Sequence, residues 1–294
     1  VLLSEEHYSM PETSTTIKSG SIVSPELPIE FINTGELDIK TTYVLPVTIK
    51  SVEGIGVLQS AKTYYYVFRG ASLINVVCNI SRNRAYPDFK NDSKFNNLTE
   101  NTMEILFKAN SFPNTLNTLM GIESNYLLRI GDATIPNNQL QVATSVNNCT
   151  SADLQLESGK WYHVAVAFNK GNVKVYINGV EKLSGSTGKS SVSLGAKHTN
   201  EEDGSRCFWV GYSYKDDRYF DGVVSEVRIW NRALTAEEIQ ATNHFYTIEP
   251  ESEGLIAYWK FDEGSGTVAK DYSVSGYDLT IEKEPKWESV SLPQ

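Results

Sequence analysis

The sequence has few cysteines, almost no helical patterning, no long apolar run and no basic stripe. Its three cysteines in 294 residues, Cys78, Cys149 and Cys207, lie far apart and match no metal-binding spacing. Two readings stand for them: small buried residues without chemistry, or a Cys149–Cys207 bridge whose geometry a sequence cannot test. No run of about 18 apolar residues occurs, so no segment could cross a membrane as a helix. The opening V-L-L-S-E-E shows no basic n-region or cleavage site, which leaves export open because a mature or trimmed chain would look the same. Lys and Arg total 26 against 36 Asp and Glu, for a net charge of −10 and a pI near 5.0. The cations are scattered, which makes nucleic acid a poor partner. The four histidines, His7, His163, His198 and His244, show no ligand spacing, and no G-x-S-x-G, phosphate-loop or zinc motif is present.

What the chain does have is strands. With 40% hydrophobic and 21% charged residues it reads as a folded protein, and its length suggests two domains. Residues 1–70 contain T-T-Y-V-L-P-V-T-I-K (41–50) and K-T-Y-Y-Y-V-F (62–68). In the second run Tyr64, Tyr66 and Phe68 share one face and Tyr65 and Val67 the other; core or edge packing explains such a row better than a ligand platform. R-G-A-S (69–72) reads as a boundary. W-Y-H-V-A-V-A-F (161–168) is apolar on both faces, as in a central strand, and there His163 reads as a satisfied core histidine. After it come N-K-G-N, V-K-V-Y-I, Asn178-Gly179 and V-E-K-L. Asn-Gly between alternating runs marks a tight hairpin, so 161–183 is a three-stranded meander. The one helix signal is R-A-L-T-A-E-E-I (232–239), where Thr235 and Glu238 form a capping box and Leu234 and Ile239 a hydrophobic staple. A short helix over 236–244 follows.

Three stretches together resemble the laminin-G-like domains of the concanavalin A-type lectin/glucanase group: W-Y-H-V-A-V-A-F-N-K-G-N-V-K-V-Y-I-N-G-V, Y-F-D-G-V-V-S-E-V-R-I-W-N-R-A-L-T-A-E-E-I and Y-W-K-F-D-E-G-S-G. The resemblance implies a jelly-roll sandwich over 73–294, with ligands on a concave face or its rim loops. S-T-T-I-K-S-G-S-I-V-S (14–24), Y-V-L-P-V-T-I-K-S-V (43–52) and 62–68 resemble the DUF1735-like module of Bacteroidetes surface lipoproteins. That implies a partial small β-sandwich over 1–70, its first strands and any lipidated cysteine lying upstream of Val1. The fold class is all-β with one short surface helix. The combined resemblance implies a glycan-utilisation component, exported and tethered to the outer membrane or periplasmic, touching membrane only through a lipid anchor outside this chain.

Three chemistries place distinct demands on these residues: hydrolysis, metal binding and sugar binding. A retaining glycosidase needs two carboxylates about 5 Å apart, hence acids at i and i+2 or i+4 on a strand. Adjacent Asp262 and Glu263 diverge, and Glu226 shares its face with Val224 and Arg228 rather than with acids. Glu249, Glu251 and Glu253 read as a solvated linker around Pro250. Where relatives of the resembled group often place an acid, this chain has Ser225, which weakens inherited calcium binding. Asp221, Asp262, Asp271 and Asp278 remain as candidate calcium oxygens, with Asp262 and Asp271 foremost, although Asp beside Gly or Ser also caps turns. For sugars, F-W-V-G-Y-S-Y-K-D-D-R-Y-F-D-G (208–222) is the densest mixture of aromatic and planar polar groups. In the competing reading, Trp209, Tyr212 and Phe220 pack the sandwich and K-D-D-R is a solvated turn. A second candidate is the loop 81–89 with Arg82, Arg84 and Tyr86.

The sequence therefore points to a non-catalytic, cell-surface protein binding an oligo- or polysaccharide. Tyr214 and Tyr219 would stack on the sugar, Asp216, Asp217 and Arg218 would hydrogen-bond it, and no cofactor is required unless calcium. A glycoside hydrolase and a structural or protein-adhesion module are the alternatives.

Overall fold

Turn chemistry and side-chain alternation account for most of the strands. Asn178 and Gly179 both take positive φ, 48° and 76°, the conformation an Asn-Gly hairpin requires. They join Asn172–Ile177 to Val180–Ser186, and with Trp161–Asn169 these form the expected meander. The computed structural model describes residues 1–38, 41–69, 73–198 and 206–293, and the chain divides into Val1–Leu73 with Ser291–Gln294, and Ile74–Val290. The R-G-A-S segment falls largely outside the described residues.

In the first unit, Thr42–Thr48 pairs antiparallel with Thr63–Arg69. Leu3, Leu37 and Leu45 form a small core, with Tyr43 and Phe68 packed against it. Of the expected core or edge packing, the tyrosine row shows the edge form: Tyr64 and Tyr65 are 67% and 61% exposed, while Phe68 packs against the small core. A two-stranded sheet has too little apolar cover for both faces.

The second unit is a sandwich of two eight-strand layers. The front sheet runs Asn148–Cys149, Ile135–Thr144, Tyr126–Asp132, Asn117–Ile122, Trp209–Val210, Ala85–Pro87, Leu279–Ile281, Val268–Ala269. The back sheet runs Val180–Ser186, Asn172–Ile177, Trp161–Asn169, Glu100–Ala109, Gly222–Trp230, Ile74–Asn79, Lys286–Leu292, with Leu255–Trp259 also paired to Gly222–Trp230. Between the sheets Phe89, Phe107, Phe168, Phe220, Trp259 and Phe261 are fully buried in one apolar core. No disulfide joins the cysteines, and all three are buried.

Two local expectations change. The capping box forms, Thr235 accepting from the Glu238 amide at 3.3 Å and Glu238 from the Thr235 amide at 2.8 Å. The helix, however, ends at Ile239 rather than at 244, because the chain then turns through Asn243 in the left-handed region (φ 63°) and lays His244 and Phe245 on the back sheet. Glu226 also has positive φ, 50°, and the register shifts between Ser225 and Arg228. This bulge leaves Val224 in the core and turns Glu226 to the outer face with Arg228, whereas unbroken alternation would have put all three on one face. Likewise Leu255 packs outward with Trp230 and Tyr258, while Ala257, Trp259 and Phe261 face inward, across a register shift at Ile229/Trp230.

Asp271 is the brace of the closing strands. Its carboxylate accepts from the backbone amides of Tyr258 (2.9 Å), Ser273 (2.8 Å) and Tyr277 (2.8 Å), and its own amide donates to Asp278 at 2.9 Å. Removing the acceptor strands buried donors. Asp271→Ala is expected to lower unfolding free energy by about 2–4 kcal/mol in urea titration, equally in calcium and in chelator.

Candidate functional site

On the front sheet, Val210 and Ile281 are both cross-strand partners of Ala85, and all three face the core. Their neighbours Trp209, Tyr86 and Thr280 therefore face outward. Cys207, Trp209 and Tyr212 form a separate outer cluster against which Tyr86 and Tyr219 pack. The two sequence candidates, 208–222 and 81–89, meet here.

The loop carrying Tyr212–Tyr219 is closed at its neck by the Phe220 amide donating to Gly211 O at 2.9 Å. It is tied down by a buried Thr118–Ser213 hydroxyl pair at 2.8 Å and by the Asn114 side chain donating to Tyr219 O at 3.0 Å. Residues Asp216–Arg218 make one 3-10 turn. The Arg84 guanidinium lies 4.4 Å over the Tyr212 ring and 5.1 Å over Trp209, held by Glu282 at 2.5 Å. Tyr86 stacks flat on His198, with centroids 3.5 Å apart, and both meet Trp209 edge-on. Tyr219 packs on Tyr212 at 4.9 Å. At the rim, Arg218 sits 4.7 Å over Tyr214 and pairs with Glu123 at 2.8 Å, while Arg206 and Lys215 lie 5.2 and 5.5 Å from the same ring.

The result is a buried pair of rings, Trp209 and Tyr212, flanked by the half-buried rings of Tyr86, Tyr214 and Tyr219 and edged by charged groups, an arrangement whose open rings can cover apolar C–H surface while the charged edge directs hydrogen bonds to hydroxyls. Residues 83–240, more than half of the chain, match the family model for the concanavalin A-like lectin/glucanases superfamily (Laminin_G_3). The chain belongs to that superfamily. A second model, describing an N-terminal domain, matches residues 1–56. The crystal structure of a candidate carbohydrate-binding protein from Bacteroides ovatus is 25% identical and covers 99% of this chain and 81% of its own, with a TM-score of 0.65. Lower similarity extends to domain 4 of an extracellular GH43 arabinanase from Geobacillus stearothermophilus, solved with arabinotriose (22% identity, 56% and 74% coverage, TM-score 0.43). It extends also to a heptameric SAP-like pentraxin from Limulus polyphemus (14%, 59% and 83%, 0.41). No curated protein sequence matches.

Within this concanavalin A-like domain the expected site residues separate. Tyr214, Arg218 and Tyr219 join the shelf half-buried, while Asp216 and Asp217 are exposed at the turn. Burial pushes the Tyr212 hydroxyl pKa up to about 12 and raises that of Tyr219; burial also lowers the His198 imidazole. These groups are neutral hydrogen-bonding partners at neutral pH. Both carboxylate oxygens of Asp271 are taken by amides, and Asp262 is exposed beside Tyr272. Neither belongs to a cluster of three candidate metal ligands among the described residues.

Glu123, His198 and Glu282 were not singled out in the sequence. Each lies far along the chain from the ring or guanidinium it meets, and no local motif marks it. The Glu123–Arg218 pair is mostly shielded, with side chains 13% and 19% exposed, so a double-mutant cycle with alanine at both positions should give a coupling of about 1 kcal/mol. Equilibrium unfolding of the four proteins measures it.

Proposed function

We propose that the concanavalin A-like domain binds an oligo- or polysaccharide without cleaving it, and that the half-buried Tyr86, Tyr214 and Tyr219, backed by the buried Trp209 and Tyr212, form the contact surface. The carrying observation is the convergence of two separate stretches into rings edged by Arg84, Arg218 and the exposed Asp216 and Asp217. Tyr214 and Tyr219 supply stacking faces, and Arg218, Asp216 and Asp217 supply hydrogen bonds to hydroxyls. The likeness to a candidate carbohydrate-binding protein of Bacteroides ovatus supports the ligand class. In this reading the protein is exported and tethered at the cell surface in a polysaccharide-utilisation system, with the N-terminal unit as a spacer.

A non-catalytic role is favoured by the placement of the acids. Glu104 and Glu226 converge on Arg228, but they are 0% and 2% exposed and sit on the outer face of the opposite sheet, beneath the segment after the helix. Water and substrate do not reach them.

A glycan array with and without calcium tests the proposal. The wild type should bind at least one glycan class, and Tyr214→Ala or Arg218→Ala should weaken binding by about tenfold each. No wild-type binding under either condition would reject carbohydrate recognition; binding untouched by both substitutions would move the site elsewhere.

A further inference from the structure

The back sheet buries a polar cluster that the shelf does not use. Ala165 is the cross-strand partner of Glu104, and His163 that of Leu106, so Glu104 and His163 are diagonal neighbours on the outer face. The segment following the helix brings His244 onto them. Glu104 and His163 are 0% exposed and His244 8%. The Glu104 Oε1 atom lies 2.7 Å from His244 Nε2 and 3.4 Å from His163 Nε2, and the candidate ligand atoms of all three residues lie within 4.8 Å of one another.

Two features of this cluster are unmatched by protein groups. His163 Nδ1 has no partner, and Nε2 makes no well-directed hydrogen bond, its nearest acceptor being Glu104 Oε1 at 3.4 Å, although the imidazole is clamped flat against Phe245 with centroids 4.5 Å apart. A fully buried polar group without a partner costs about 1–3 kcal/mol. The second feature is charge. Arg228 is paired through Nη2 with Glu226, which also accepts from the Tyr258 hydroxyl at 2.6 Å. Its Nη1 donates to His244 O at 2.6 Å and is 3.7 Å from Glu104 Oε2. Two carboxylates, Glu104 and Glu226, thus face one guanidinium, an acid-rich surrounding that a further cation would complement.

We propose that Glu104, His163 and His244 form a binding site for a divalent first-row transition-metal ion of the zinc class. Two imidazole nitrogens and one carboxylate oxygen select such an ion over calcium or magnesium, which take oxygen ligands. The second oxygen of Glu104 accepts from Trp230 Nε1 at 2.7 Å, which fixes the carboxylate with its first oxygen toward the histidines. The ion would be structural, because two ligands sit on adjacent strands and the third on the chain covering them. It would pin that segment to the sheet.

Because the site is sealed, the test begins from unfolded protein. The full chain is denatured with chelator, refolded with zinc, with cobalt or without metal, and desalted. Metal content, the visible ligand-field bands of cobalt and Tm are then measured. The expected result is about one ion per chain, nitrogen-type cobalt bands and a Tm several degrees above the metal-free protein. In His163→Ala and Glu104→Gln, folding being checked by circular dichroism, retained metal should fall at least tenfold. Wild-type protein that refolds without retaining either metal and with an unchanged Tm overturns the site and leaves an imidazolium proton as the balancing charge. Retention equal in wild type and folded variants overturns it too, by placing the ion elsewhere. If neither variant folds, the wild-type comparison alone decides.

Discussion

The sandwich works because strand alternation gives each sheet two chemically different faces, and only one of them can enter the shared core. The inward faces are closed by Phe107, Phe168, Phe220, Trp259 and Phe261, all fully buried, and burial of such side chains stabilises the fold by roughly 1.5–3 kcal/mol each. Once those faces are committed, every outward residue on the same strands is fixed in position with the precision of the ladder. Both the ring shelf and the buried cluster are consequences of that commitment.

The two outer faces meet the constraint differently. On the front sheet Trp209 and Tyr212 are buried beneath their neighbours, while Tyr86, Tyr214 and Tyr219 remain half-buried beside charged groups. On the back sheet the helix and the chain after it seal the face, and Leu234, Ile239, Trp230 and Tyr258 make a second apolar cluster there. Sealing raises the stakes for any polar group beneath it. Arg228, Glu226 and Glu104 therefore sit in a tight network, whereas at the front rim the aspartates at 216 and 217 stay in water.

Local irregularities decide which side chains reach which face. The bulge at Ser225–Arg228 moves Glu226 out of the core, where an ionised carboxylate would be unsupported, and places it against Arg228. The shift opposite Ile229/Trp230 does the same for Leu255 and Trp230. Neither is visible in a strict two-residue alternation, because a bulge changes the count of residues between faces without changing their types.

The sequence alone determined the elements whose signals are local. Asn178-Gly179 specified the hairpin, Thr235 and Glu238 the start of the helix, and the run at 161–168 a central strand; together with the resemblance they pointed to the all-β sandwich. It marked Tyr214, Arg218 and Tyr219, and separately Arg84 and Tyr86, as candidates. That these two stretches form one surface was decided only by tertiary structure, since Trp209–Val210 and Ala85–Pro87 become neighbours through ladder pairing across more than a hundred residues. The same holds for Glu104, His163 and His244. Their spacing carries no motif, and their meeting follows from strand register together with the early end of the helix at Ile239.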